Sequence, residues 1–520
     1  GTLTSDAGLL LNREGALANT QGEVSSAGTS EVHVASLDNS GGKVTGDTSL
    51  SVDVRGALNN RQGVLATGQS ASITAASLDN SNTGKVLSDG SLTTRITGLL
   101  DNQSSGLLTA KGAMDVQAGS LDNRGGSVSG KDLLTLNTAS LDNRGGKVSA
   151  DKNLQLNVTQ LNNQDKGLLS GQSAIQYLGT TLSNQGGLLS GVGPVRLDAT
   201  TVENAGGRIS SKSDLTANVT HFNQQKGELV AEGNLSLTGS TLNNSNGGLI
   251  GAIKTLTLSI DDINNQAGEI SSTVDVNLAG TRLNNSRNGK LLAGTDLGLK
   301  VAQVINQSEG LLFGKGQVTL KGQSLDNSGG MVSGQQGLTL THSGDLNNTG
   351  GLLTSEGSIT ATTAGLNNTS GKVSSTGAIA LTATGAMINH NGAVTTDQGL
   401  TLNSASLDNR TGTLSAKGAV GFTTGAFDNT QAGSLISNDT LTLTAGQVSN
   451  GTDSRIASDK NLVASVTGFD QQGGQLFSKT SLSLDLNNGQ LNNQQGLINA
   501  PLLMLKNLNG VNNQNGEISS

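Results

Sequence analysis

The sequence predicts an all-β fold: a parallel β-helix, or β-solenoid, of about 25 rungs with three short strands in each. Three observations predict it. A short phrase recurs at a near-constant interval along all 520 residues. Between its copies, apolar and polar residues alternate in short runs bounded by Gly, Asn and Asp, the signature of strands. The composition, finally, suits no large globular core: 33% of residues are hydrophobic, 1% are aromatic and Trp is absent. So little apolar surface leans toward disorder, and the length alone would suggest about three or four domains. Yet only 13% of residues are charged and there are 2 Pro, whereas disordered chains are usually richer in both. Regular stacking of small rungs resolves the conflict.

The phrase is an aliphatic, Met or Phe residue, then any residue, then Asn or Gln, followed by Gly. Its third position, the anchor, falls at 25 sites spaced 20 to 22 residues apart. The first position is apolar in all 25 and the anchor is Asn in 23, which chance does not produce. A Gly follows three residues after the anchor in 18 copies and four after in 6; the copy at Asn450 lacks it.

The segment 140–171 shows the elements in order. After Gly146, Lys147-Val148-Ser149-Ala150 alternates out and in as a first strand. Asp151-Lys152-Asn153 is a polar turn. Leu154-Gln155-Leu156-Asn157-Val158-Thr159 alternates again, and Leu161-Asn162-Asn163 closes the unit. Pro194 and Pro501 each stand just before a second strand, where no ladder donor is needed. Rungs built this way pair strand on strand at ~4.8 Å, so 25 of them make a rod of roughly 120 Å. One rung cannot fold alone. Its roughly six buried aliphatics contribute about 1.5–3 kcal/mol each, while ordering the backbone costs about 1–2 kcal/mol per residue. Contacts between rungs supply the rest, and stability becomes a nearest-neighbour sum.

The anchor is the candidate for special structure. If Leu141 points inward, alternation sends Asp142 outward and Asn143 inward. A buried amide needs partners. Asn39, Asn60, Asn80, Asn123, Asn143, Asn163, Asn184, Asn204, Asn244, Asn327 and Asn409 are accordingly expected to bond rung to rung as an Asn ladder. The alternative, compatible with the first, places Asn and the following Gly in left-handed backbone angles, with Gly126, Gly146, Gly187 and Gly330 as corner glycines. Both roles are structural, not catalytic. Asp122 and Asp142 would stack one rung apart, tolerable only in solvent, which supports their outward direction.

Little else suggests chemistry. His33, His221, His342 and His390 are isolated, without metal-ligand spacing, and are assigned to the surface or to corners. The paired Gly and Asp of calcium-binding nonapeptides are missing, as are a nucleophile elbow and a phosphate loop. No catalytic residue, metal or cofactor is therefore expected. Lys and Arg are dispersed and outnumbered, 31 against 39 acids, which argues against nucleic acid. No run of 18 apolar residues suggests a transmembrane segment, and no signal peptide is visible. The absence of Cys suits a large secreted bacterial protein. Phe222, Phe427 and Phe469 occupy the apolar anchor position and are assigned to the core; Phe313, Phe422 and Phe477, which follow corner glycines, are also expected inward. Tyr177, the only tyrosine, carries a surface contact as its lesser reading. The chain opens and closes at the same phase of the repeat, so residues 1–520 are expected to be one continuous section, without internal boundary, of a longer protein.

Leu-Asp-Asn-x-Gly-Gly-x-Val/Leu-x-Ser/Ala about every 20 residues resembles the haemagglutinin repeat of filamentous haemagglutinin-like exoproteins, over essentially the whole chain. The resemblance implies that the β-helix is right-handed. It also implies a large adhesin or contact-dependent growth-inhibition toxin of Gram-negative bacteria. Such a protein is secreted to the cell surface through a dedicated outer-membrane β-barrel transporter, the two-partner system. The repeats are then the shaft, and a host or target-cell receptor is met by other segments. Val202-Glu203-Asn204-Ala205 is similar to the Val-Glu-Asn-Asn boundary before many toxin tips, but sits in repeat phase and reads as an ordinary anchor. The expected function is a filament shaft that projects an adhesive or toxin-bearing tip. The alternative is a rod whose own face binds a glycan, a receptor or another filament. A β-helical enzyme would need long loops, and the intervals differ by at most two residues.

Overall fold

The computed structural model describes residues 1–520 and contains strands but no helix. Two compact units, Gly1–Ile260 and Asp261–Ser520, share one construction. Each is a stack of coils whose strands pair in parallel with the equivalent strands of the next coil. One coil of the first unit serves for all. A short strand, Lys147–Ala150, buries Val148. A turn leads to a long strand, Leu154–Asn162, which buries Leu154, Leu156, Val158 and Leu161. The core is thus a set of columns. Val128, Val148 and Leu169 stand in register, as do Leu141, Leu161 and Leu182. Like residues stack on like, so each coil meets a surface shaped as its own.

The second and third strands expected from the sequence run together in this coil. The alternation slips where Thr159 and Gln160 both face solvent, and there the chain bends without losing its pairing on either side. In other coils the bend interrupts the strand, as between Ile175–Leu178 and Thr181–Ser183. Tyr177 explains this case. Its ring is buried in the core and its hydroxyl donates to the Thr181 carbonyl at 2.8 Å across the bend. Gly179 leaves the space, since a Cβ there would meet the Tyr177 hydroxyl. The surface reading of Tyr177 is therefore wrong, and burial pushes its phenol pKa up.

The corners also differ from expectation. Neither the anchor Asn nor the corner Gly adopts left-handed angles. The residue before the corner Gly does: Gly125 (φ 63°), Gly145 (φ 62°), Gly186 (φ 64°) and Gly329 (φ 64°). Non-glycine residues stand there too, such as Gln62 (φ 58°). The corner glycines are needed for space instead. A Cβ on Gly126, Gly146, Gly187 or Gly330 would overlap the anchor carbonyl of the preceding coil, at Asn102, Asn123, Asn163 and Asn306 respectively. In the coil of Asn450, Ser454 takes the place of the corner Gly, and its N–H bonds the Gly451 carbonyl at 3.0 Å.

Two phenylalanines and one histidine lie opposite to expectation. Phe313 and Phe477 are third residues of short strands whose second residues, Leu312 and Leu476, are buried, so both rings face outward. Phe422 does enter the core, edge-on to Phe427 with centroids 4.8 Å apart. His342 is only 4% exposed, not on the surface. Its neighbour in the preceding coil, Gly322, has no side chain and leaves room for the ring.

The two glycines of one corner separate the two constraints. Gly146→Ala forces a Cβ against the Asn123 carbonyl and should cost about 2 kcal/mol or more. Gly145→Asn needs only a left-handed angle, which Asn accepts, and should cost less than about 1 kcal/mol. Urea midpoints of the full chain check the order.

Candidate functional site

The anchors form the most extensive polar feature of each unit. Leu141 and Asn143 both point inward, two residues apart, and Asn143 is fully buried. Its amide group donates from Nδ2 to Asn163 Oδ1 in the next coil at 2.7 Å. The same nitrogen reaches the Gly146 carbonyl of its own corner at 3.3 Å and the Leu168 carbonyl at 3.2 Å. Its oxygen accepts from Asn123 at 2.7 Å. The backbone is satisfied as well, with Asn143 N–H on Asn162 O at 2.7 Å and Gly146 N–H on Asn143 O at 3.0 Å. A buried amide is costly unless paired; here every polar atom of the anchor has a partner.

In the first unit ten such bonds run without a gap from Asn19 through Asn39, Asn60, Asn80, Asn102, Asn123, Asn143, Asn163, Asn184 and Asn204 to Gln224, each at 2.7–2.8 Å. Asn244 is buried at the next anchor position and donates to Gly248 O at 3.1 Å. In the second unit Asn327 donates to Asn348 at 2.8 Å and Asn409 to Asn429 at 2.7 Å, within a column from Asn265 to Asn513. In this column the bonds are longest around Gln471, at 3.3 and 3.2 Å. All donate in one direction, from each coil to the coil that follows it in sequence.

Beside the ladder, facing out, stands a column that sequence reasoning treated only as solvated charge. The residue before the anchor closes the corner. Asp142 Oδ1 accepts the Arg144 N–H at 3.2 Å, Asp101 accepts that of Gln103 at 3.0 Å, and Asn347 that of Thr349 at 3.1 Å. This is the local turn that Asp and Asn side chains make with the backbone two residues on. The signal was present: 19 of the 25 residues before anchors are Asp or Asn. Asp79, Asp101, Asp122 and Asp142 are direct neighbours in register, and solvent is not their only relief. Arg124 bonds Asp122 at 2.6 Å and reaches Asp142 at 3.8 Å, and Arg144 bonds Asp142 at 2.7 Å. Partial burial raises the Asp142 carboxyl, but the Arg144 side chain and N–H, with the charges of Arg144 and Arg124, bring it below the usual carboxylate range. Asp408 is lowered chiefly by its hydrogen bond from Arg410.

No group of three His, Cys, Asp or Glu side chains is placed to hold a metal ion. His33 lies near Glu31 and Asp53, and His221 shares a 2.9 Å bond with Thr241. His342 is apart from all of these: both ring nitrogens are buried without a partner, and burial pushes its pKa down to about 4.

Two experiments follow from this geometry. Asn143→Leu adds apolar volume yet strands an acceptor and a donor in the core, and should cost about 3 kcal/mol. Asp142→Asn keeps the turn bond, loses a half-exposed ion pair, and should cost less than about 1 kcal/mol. Thermal melts of the two variants should fall in that order. His342 gives a pH dependence. Its folded pKa lies below the unfolded value, so its neutral form is favoured in the fold. That contribution is intact above pH 6.5 and is lost as pH falls toward 4, by about 3 kcal/mol in all. Urea midpoints at pH 7.5 and 4.5 should differ less in His342→Leu than in the unaltered chain.

The haemagglutinin-repeat family matches the chain in eleven overlapping segments, residues 1–62, 44–104, 88–145, 133–191, 173–239, 190–261, 230–301, 274–350, 347–391, 388–445 and 436–520. No curated protein and no solved structure matches it. The segments tile every coil, and their shared motif is the anchor, the corner and the short strand described above. The chain belongs to the haemagglutinin-repeat family.

Proposed function

We propose that this chain is the shaft of a secreted, surface-displayed exoprotein, and that its contribution is length and stiffness. One observation carries the reading. The coils differ in length by at most two residues, so no loop is long enough to build a cleft. Distinctive residues recur with the coil and serve its packing. The finer reading is a filament that projects an adhesive or toxin-bearing tip from a Gram-negative cell toward a host or neighbouring cell. Export would use an outer-membrane transporter of the two-partner kind. Absence of Cys removes one obstacle to passage in an unfolded state. Each coil then finds its template in the one before it, so folding can proceed as the chain emerges. On this reading the chain is not an enzyme.

The test is deletion in and out of phase. Removing residues 146–206 takes out three coils and brings Gly207 into the place of Gly146. The parent exoprotein should still reach the surface, shorter by ~14 Å, and keep its adhesion or target-cell inhibition. Removing about ten residues breaks the register, exposes strand edges and should abolish display. Normal surface levels with lost activity after the in-phase deletion would refute the shaft reading in favour of a contact made by the coils themselves.

A further inference from the structure

His342 ends the strand Gly337–His342 with its ring in the core and neither nitrogen bonded. A neutral imidazole carries one N–H and one bare nitrogen, so the ring leaves a donor and an acceptor unused there. The strands around it offer no counter-charge. Gln317–Gly322 sets Gly322 beside the ring, and its one charged residue, Lys321, is exposed. Ser358–Thr363 has no charged residue, and the hydroxyl of its buried Thr363 is engaged with the Gly365 carbonyl. The short strands Met331–Gly334 and Leu352–Ser355 have none either, and Asp326 faces away from the core next to the buried Leu325.

The backbone just beyond His342 is interrupted. Leu154–Asn162 runs as one strand, but this coil breaks between His342 and Leu346–Asn347. The next coil breaks between Thr363 and Leu366–Asn367, and the third between Ala383 and Ala386–Ile388. Gly344, Gly365 and Gly385 stand in the three breaks. Over them runs a groove of about 560 Å³, lined by residues that include Asp345, Ala364, Gly365, Thr384, Gly385 and Ile388. Along the chain, then, the buried ring is three residues from the groove. Residues 343–345 are tied down by the Ser343 N–H on Gly322 O at 3.1 Å and the Gly344 N–H on Gln323 O at 2.8 Å.

We propose that this bend is an acid-released joint: when His342 takes up a proton, residues 343–345 detach from the coil before them and carry the imidazolium into the groove, beside the Asp345 carboxylate. A charged ring cannot remain in a core that gives it no partner, and the groove supplies both water and an acid. Glycine in each of the three breaks lets the backbone rearrange without a Cβ clash. The opening stays local, because each coil depends on its nearest neighbours. The ladder at the next corner is separate from the bend, with Asn348 donating to Asn368 at 2.7 Å. The stack is then stiff at neutral pH and compliant at one place in acid. The proposal goes beyond the shaft reading and does not depend on it.

The ring titrates at about 4 in the core and near its ordinary value of 6.5 in water, so the open form gains on the closed one as pH falls below 6.5 and stops gaining below about 4. Between pH 7.5 and 4.5 the gain is about fiftyfold. The experiment is hydrogen exchange of the full chain, read by mass spectrometry at those two pH values and corrected for the intrinsic exchange rate at each. The amides of Ser343, Gly344 and Leu346, all bonded in the closed coil, should lose about fiftyfold of their protection in acid, while Leu154–Asn162 keeps its own. His342→Leu and His342→Thr, the second copying the buried Thr363 of the next coil, should both abolish the loss. Asp345→Asn should reduce it. Circular dichroism at pH 7.5 verifies the fold of each variant. No acid loss at the bend, a loss spread evenly over the coils, or the same loss in the His342 variants would overturn the proposal. An undiminished loss in Asp345→Asn would overturn the placement of the imidazolium beside that carboxylate.

Discussion

The fold depends on one interaction: the hydrogen bond from each buried anchor amide to the anchor of the next coil. Apolar columns alone would let coils slide or rotate against each other, because aliphatic contacts are non-directional. The amide has one geometry that satisfies its donor and its acceptor together. Placed once per coil at the same corner, it sets both the spacing and the angular register of everything else. The carbonyl that the corner Gly must clear belongs to the anchor of the coil before, so the Gly requirement follows from the ladder. The Asp or Asn just outside closes the same corner from the solvent side. Three neighbouring sequence positions thus have three separate duties, and all concern one turn.

Stability built this way is local in sequence. A coil touches only its two neighbours, and nothing at a distance can compensate for a broken rung. The penalty for an unpaired amide, about 1–3 kcal/mol, is paid where it occurs. Variation concentrates accordingly on outward positions, where the column beside the ladder tolerates Asp, Asn, Ser, Glu and Ile, and in corner length, where an extra residue is absorbed by a second left-handed position such as Lys166 after Asp165.

Much of this was legible in the sequence because the repeat multiplies weak signals. One Leu-Asp-Asn is uninformative; 25 equivalents at a fixed interval define the coil and the direction of its side chains. What the sequence hid were departures from strict alternation. The slip at Thr159 and Gln160 cannot be placed by pattern, since a polar pair reads equally as a turn. Phe313 and Phe477 follow corner glycines, which points them inward, although the aliphatic residue before each already fills the inward position. His342, isolated and without metal-ligand spacing, reads as a surface or corner residue, although the strand phase places it in the core opposite Gly322. In each case the phase of the strand is the stronger constraint. The left-handed residue was misplaced by one position for another reason: Gly-Gly pairs such as Gly145-Gly146 contain two glycines with different tasks, steric in one and torsional in the other.

The direction of the ladder has an electrical consequence. In a parallel sheet the backbone dipoles alternate and largely cancel, but the anchor amides all point the same way, ten bonds in succession in the first unit. Each amide carries a dipole of about 3.5 D, as a peptide unit does. Aligned in a dry interior they add, and neighbouring hydrogen bonds polarise one another further. The core of the unit is therefore an electret: a permanent axial polarisation made of side chains, where an α-helix makes its own from backbone. Its positive pole lies toward the later coils and its negative pole toward the earlier ones. A cationic group is favoured against the first coils of such a stack and an anionic group against the last, and two stacks facing like pole to like pole repel.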